Sequence, residues 1–282
     1  MEIAEKQIHW LDEKHPNYER WKRAREISTE RGKFVRSIIS KDCKCQNLKI
    51  LDIGSGEGGT SEVLSEDNFV TSFDMNKIRL LRQQNSFSDI NLLCGSSSSL
   101  PFKNNSFDLI ILQDVMEHLD NREKLINNIY NLLNDNGIIY LSTPNKFSVV
   151  NIIADPHWGV PLVSLLKRES VRKYFLNYFR KSEMNRKDIA ELLSLKNIYE
   201  LFADKFEVQL FTLHSVNELF KDNKGIVWSD FHLKLLHILK KVKLDKVIIS
   251  LANDRMGFLN RFFSPTFYMV FKKKAKSLSQ IQ

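Results

Sequence analysis

Leu51 to Gly59 reads LDIGSGEGG, an apolar run from Lys49 that stops abruptly in closely spaced glycines, Gly54, Gly56 and Gly58. The run Lys49 to Ile53 predicts a buried strand, and the polar residues from Thr60 to Asp67 predict a helix that begins at the loop. Glycines in that position let backbone amides approach a ligand, and the following helix turns its N-terminus toward it. With Gly59 as third glycine the loop also satisfies Gly-x-Gly-x-x-Gly, and Asp74 closes the next strand, Phe69 to Asp74, where a dinucleotide fold places its ribose-binding acid. The loop alone does not choose between nucleotide cofactors.

The pattern continues on both sides. Tyr18 to Ile39 carries helical apolar spacing broken near Gly32, which predicts two short helices ahead of the sheet. Downstream come a helix around Ile78 to Gln84, strands at Ile90 to Cys94 and Phe107 to Leu112, a helix at Arg122 to Leu133 and a strand at Gly137 to Ser142. Such alternation predicts a parallel sheet covered on both faces. It stops after Asn145. The expected organisation is an N-terminal helical segment (1–45), a cofactor-binding core (46–145), a helical cap (146–204), the end of the core (205–272) with a basic insertion (227–251), and a frayed tail (273–282). Phe206 to Leu213 and Thr266 to Phe271 read as an antiparallel edge pair.

Composition narrows the class. The chain has 282 residues, 43% of them hydrophobic, enough for a sizeable core. Its net charge of +8 fits a basic solvated surface or an anionic partner. Cys43, Cys45 and Cys94 offer neither a disulfide framework nor finger-like zinc spacing, so no metal set is expected and reduced thiols in the cytoplasm fit best. The charged N-terminus lacks a signal-peptide core, and the apolar stretch from Val149 to Leu166 is interrupted by Asp155, Pro156, His157 and Pro161.

Three features separate S-adenosylmethionine from NAD. Asp52 lies inside the strand, where dinucleotide-binding strands carry apolar residues, and a helical segment precedes the loop. In addition, SSLPFKNNSFDLIILQDVMEHLDN (Ser98 to Asn121) and LSTPNK (Leu141 to Lys146) closely resemble the second-half motifs of class I S-adenosylmethionine-dependent methyltransferases. The resemblance covers roughly residues 45 to 150. That family includes ubiquinone- and menaquinone-biosynthesis enzymes and glycan-cluster methyltransferases. It implies an α/β, Rossmann-like seven-stranded, mostly parallel sheet with helices on both faces, an antiparallel edge strand and a helical cap after the fifth strand. It also implies S-adenosyl-L-methionine as cofactor.

Carried over residue by residue, the resemblance assigns Gly54, Ser55 and Gly56 to the methionine portion, with Asp52 bracing the loop or reaching the ammonium. Asp74 takes the ribose hydroxyls, since two carboxylate oxygens can accept from two vicinal donors. Met75 packs on the adenine or fills core. The family's adenine-reading Asp is replaced here by Ser96, whose hydroxyl, or the backbone amide of Ser97, would do the reading. Gln113 and Asp114 end the fourth strand at the ligand-binding edge. Glu117 and His118 match the family's Glu-His pair, near the cofactor and the reaction centre.

The acceptor side is read from titratable groups. His118 is expected either as a general base or as a loop anchor. His157, in DPHWGVP (Asp155 to Pro161), is the other candidate, as an acceptor-pocket element or a loop cap. The segment Phe231 to Leu251 reads as a basic amphipathic helix, with Leu235, Ile238, Leu239 and Val242 on one face and Lys234 and Lys241 on another. It could pack on the core or lie peripherally on an anionic membrane. The expectation is O-methylation of a small-molecule or glycan-type hydroxyl. The alternatives are a membrane-associated lipid acceptor, an RNA acceptor suggested by Tyr174, Phe175, Tyr178 and Phe179, or S-adenosylmethionine binding without turnover. No RNA-binding module is recognisable. The sequence leaves the acceptor, the methylated atom and the oligomeric state open.

Overall fold

A computed structural model describes residues 13–14, 18–87, 89–186, 188–222, 225–227 and 230–274. Most of the expected tail, 275–282, lies outside these residues. The apolar runs fold as β1 (Lys49–Ile53), β2 (Phe69–Asp74), β3 (Ile90–Cys94), β4 (Phe107–Gln113) and β5 (Leu133–Pro144). β5 starts ahead of Gly137 because Leu133 pairs with Phe107 across an irregularity in the ladder. With β6 (Phe206–Leu210) and β7 (Thr266–Lys273) they make one seven-stranded sheet in the order β3-β2-β1-β4-β5-β7-β6. β1 to β5 pair in parallel. β7 is the antiparallel strand, lying between β5 and β6.

Alternation along each strand serves two cores. Leu51, Ile53, Ile110 and Leu112 point to one face, where Ile126 and Ile129 of α5 (Arg122–Leu132) cover them. Ile50, Leu109 and Ile111 point to the other face, under Phe34, Val35, Ile38 and Ile39 of α2 (Ser28–Ile39). The two expected N-terminal helices are α1 (Tyr18–Glu26) and α2, but the break expected near Gly32 falls at Ile27, and Gly32 lies inside α2, where it serves a close helix contact. α2 approaches α3 (Gly59–Ser65) so closely that a Cβ on Gly32 would stand 2.5 Å from the carbonyl oxygen of Gly59. α2 is therefore packed against the glycine loop's own helix.

The stretch 146–204 is not uniform. Trp158, Val163, Val171, Phe175, Leu176 and Ile189 form a small core of their own. The helix Leu195–Phe202, however, buries Leu195, Ile198 and Phe202 in the main core, so the cap boundary drawn at residue 204 needs correction. Its apolar stripe faces the sheet, and helical periodicity cannot tell which partner such a stripe will meet.

The basic insertion also differs from its expectation. It is two helices, Asp230–Lys241 and Leu244–Leu251, divided where Lys243 adopts a left-handed backbone at φ 60°. Among the described residues of these two helices, the buried side chain is Leu236, which joins Phe220 and Val227 with Leu233, Leu239, Ile248 and Ile249 partly buried around them. Of the expected apolar face, Leu239 packs on this cluster, whereas Leu235, Ile238 and Val242 are exposed. Among the described residues, no helix is long and apolar enough to cross a membrane.

Candidate active site

The strand order reverses between β1 and β4, the place where open α/β sheets bind ligands beyond their carboxyl ends. On the β1 side, Gly56 has φ 57°, and a Cβ there would meet nothing nearer than the oxygen of Gly54 at 3.9 Å. The space over this residue is open, and a side chain would fill it. Gln83, from α4 (Lys77–Ser86), clamps the loop by donating to Ser55 Oγ at 3.0 Å and to the Gly56 oxygen at 2.8 Å. Sequence reading missed Gln83. Its only signal was a buried polar residue inside an amphipathic helix, visible only once the helix is docked.

Asp52 is buried and accepts from Ser61 Oγ of α3 at 2.7 Å, and Ser61 in turn meets Ser72 Oγ at 2.5 Å. These contacts are those of a brace between β1, β2 and α3. Burial pushes the Asp52 carboxyl up to about 7, against the hydrogen bond from Ser61, and the charge of Asp74 adds to the rise.

Asp74 accepts from the Gly56 amide through Oδ2 at 2.9 Å and from the Asn76 amide through Oδ1 at 2.7 Å. Each oxygen keeps a further lone pair, so the carboxylate can still accept from two ribose hydroxyls. Met75, next to it, is 79% exposed, which removes its reading as core filler and leaves an apolar side chain at the rim. Ser96 and Ser97 lie in the turn after β3, where Ser96 Oγ bonds Ser98 Oγ at 2.8 Å. The open cradle at Gly56, the two-oxygen acceptor and the exposed thioether fit the methionine, ribose and adenine parts of S-adenosylmethionine respectively.

On the β4 side, Gln113 accepts from Thr60 Oγ1 at 2.7 Å, which ties β4 to α3. Asp114 accepts from Arg31 of α2 at 2.5 Å and from Ser142 Oγ of β5 at 2.9 Å. Arg31 was not foreseen, because it stands 83 residues away, in a helix ahead of the sheet.

The turn Met116–His118 follows, fastened to the cap by two arginines. Arg122 donates to the Met116 and Glu191 oxygens, and Arg168 to those of Glu117, Leu119 and Ile189. Glu117 is fully buried and accepts from Thr143 Oγ1 at 2.9 Å. Burial, with the charge of Asp114, holds its carboxyl above the usual carboxylate range. Burial lowers the His118 imidazole, so that the ring is neutral near pH 7.

Asp155 organises the Asp155 to Pro161 loop by accepting from the His157 and Trp158 amides, each at 2.8 Å. The structure brings His157 to His118, ring centroids 5.2 Å apart at 81°, and puts its Nε2 3.9 Å from Glu117 Oε1. Trp158 instead turns into the cap's core. So does Phe175 of the aromatic cluster, whereas Tyr174, Tyr178 and Phe179 are exposed.

Residues 51–141 match a family described as a methyltransferase domain. A relative named a "probable S-adenosylmethionine-dependent methyltransferase", from Mycolicibacterium smegmatis, is 22% identical over 53% of this chain and 51% of its own. The ubiquinone biosynthesis O-methyltransferase of Rickettsia typhi is 26% identical over 72% of this chain and 71% of its own. The chain thus spans about half the length of the first relative and more of the second. A solved S-adenosylmethionine-dependent methyltransferase from Thermotoga maritima shares the fold, with TM-score 0.53 and 14% identity over 94% of this chain and 99% of that one.

Proposed function

We propose that the protein is a class I, S-adenosylmethionine-dependent methyltransferase that methylates a hydroxyl of a small-molecule or glycan-type acceptor, a reading supported by the match of residues 51–141 to a methyltransferase domain. In this reading Gly54, Ser55 and Gly56 hold the methionine part and Asp74 the ribose. Met75 covers the adenine face, and Ser96 or Ser97 reads its edge. The observation that carries the acceptor half is the meeting of His157, from the cap, with His118 at the carboxyl edge of the sheet. A sulfonium methyl is already activated, so positioning an oxygen in line with it supplies most of the rate. A hydroxyl must also shed a proton, and a neutral imidazole can take it. The match to a ubiquinone O-methyltransferase over most of both chains supports oxygen as the methylated atom.

The test is incubation with S-adenosylmethionine and small-molecule and glycan fractions from producing cells, followed by mass spectrometry. Release of S-adenosylhomocysteine together with a methyl-sized shift in an acceptor is expected. Cofactor binding with no release in any fraction would leave a binding protein without turnover, and methylation confined to an RNA fraction would replace the acceptor class.

A second reading, a lipid-linked acceptor at a membrane surface, is favoured by the exposed Leu235, Ile238, Val242 and Val247 beside Lys234, Lys240, Lys241 and Lys246. Such a face inserts its apolar side chains while its lysines meet anionic headgroups. The protein is expected to float with phosphatidylglycerol vesicles and not with phosphatidylcholine vesicles, less so at high salt. Ile238→Glu with Val242→Glu should weaken binding by at least about tenfold. Equal recovery of wild type and variant would end this reading.

A further inference from the structure

Glu117, His118 and His157 each offer one ligand atom, and these atoms all lie within 4.8 Å of one another. They converge from the turn after β4 and from the loop beyond β5. Thr143 satisfies Glu117 Oε2, but Glu117 Oε1 is buried with no hydrogen-bond partner among the described residues, as is His118 Nδ1. A carboxylate oxygen left so costs on the order of 1–3 kcal/mol or more. The His157 Nε2 atom faces it at 3.9 Å, too far for a hydrogen bond. That spacing suits something between them. Two ligands each about 2.1 Å from a shared metal stand about 3–4 Å apart, depending on the angle. In the bound state the widest separation in the set would have to close to that range.

We propose that Glu117, His118 and His157 bind a divalent transition-metal ion, and that this ion holds the acceptor oxygen facing the methyl donor. Two imidazoles and one carboxylate suit zinc, manganese, cobalt or iron(II) better than calcium, which takes oxygen ligands. Three protein ligands leave positions open for an oxygen of the acceptor. The acceptor hydroxyl, acidified by the ion, gives its proton to water. Its oxygen lone pair then forms the C–O bond as the C–S bond breaks, and that electron pair stays on sulfur as a neutral thioether. No oxidant or reductant is needed. The two histidines then serve as neutral ligands in place of a general base. The catalytic half rests on the methyl-transfer reading, whereas the binding half does not.

The test uses the full chain, stripped of metal with chelator and titrated with cobalt(II). One equivalent is expected to bind with visible ligand-field bands of a nitrogen- and oxygen-ligated ion. His157→Gln, in a part-exposed loop position, should lose at least about tenfold in cobalt affinity while keeping S-adenosylmethionine affinity, and Glu117→Gln should lose more. Glu117 is buried, so the His157 variant decides if the Glu117 variant fails to fold. Absent bands, or equal cobalt affinity in wild type and His157→Gln, would overturn the site. Turnover that survives chelation would overturn the acceptor-holding role alone. Cobalt binding without any methyl transfer would sink the functional reading and leave the metal site standing.

Discussion

Asp74→Ala is expected to weaken S-adenosylmethionine binding by about a hundredfold or more, read by calorimetric titration. The carboxylate would accept from two ribose hydroxyls, and hydrogen bonds to a charged group contribute about 1.5–3 kcal/mol each, so about 3 kcal/mol, or two decades, is the lower range. The substitution also strips the Gly56 amide of its acceptor at 2.9 Å and the Asn76 amide of its acceptor at 2.7 Å. The glycine loop loses its tether to β2 at the same time. Asp74→Asn keeps one carbonyl oxygen but turns donors toward the second amide, so an intermediate loss of about tenfold should follow. Unchanged affinity in the alanine protein, with a native melting curve, would mean that the ribose sits elsewhere.

Phe202→Ala should cost about 3–5 kcal/mol of stability, measured by urea unfolding. The ring is fully buried, stacked on Phe271 of β7 at 4.0 Å between centroids, and tilted against Phe206 of β6 at 5.8 Å. Deleting it opens a cavity between the helix Leu195–Phe202 and the last two strands, which cannot all collapse into the space. Phe179→Ala is the control: its ring is 76% exposed on the cap, and about 0.5 kcal/mol or less is expected. A loss below about 1 kcal/mol for Phe202→Ala would show that this helix belongs to the cap and not to the main core.

Those two residues also mark how far a linear reading reaches. Asp74 was legible because it ends a strand at a fixed place after a glycine loop, and both features are local. Phe202 was assigned to the cap because its neighbours along the chain are cap residues, while its neighbours in space are Phe206 and Phe271. Leu235 and Leu236 show the same limit at one-residue scale. Either could face inward on a helix, and the packing of Phe220, Val227 and Ile249 selected Leu236.

Strand runs, the glycine loop and the carboxylate that follows it were all readable from residue order, because apolar alternation and backbone freedom are properties of short segments. Folding was needed to bring Arg31 onto Asp114, Gln83 onto the glycine loop, and His157 onto Glu117 and His118. Those contacts join elements far apart in the chain, and their geometry follows from how α2, α4 and the cap dock on the sheet. No local pattern encodes a distance between two such side chains, so the strand-end positions of the glycine loop and Asp74 could be drawn from residue order, and the meeting of Glu117, His118 and His157 emerged only from packing.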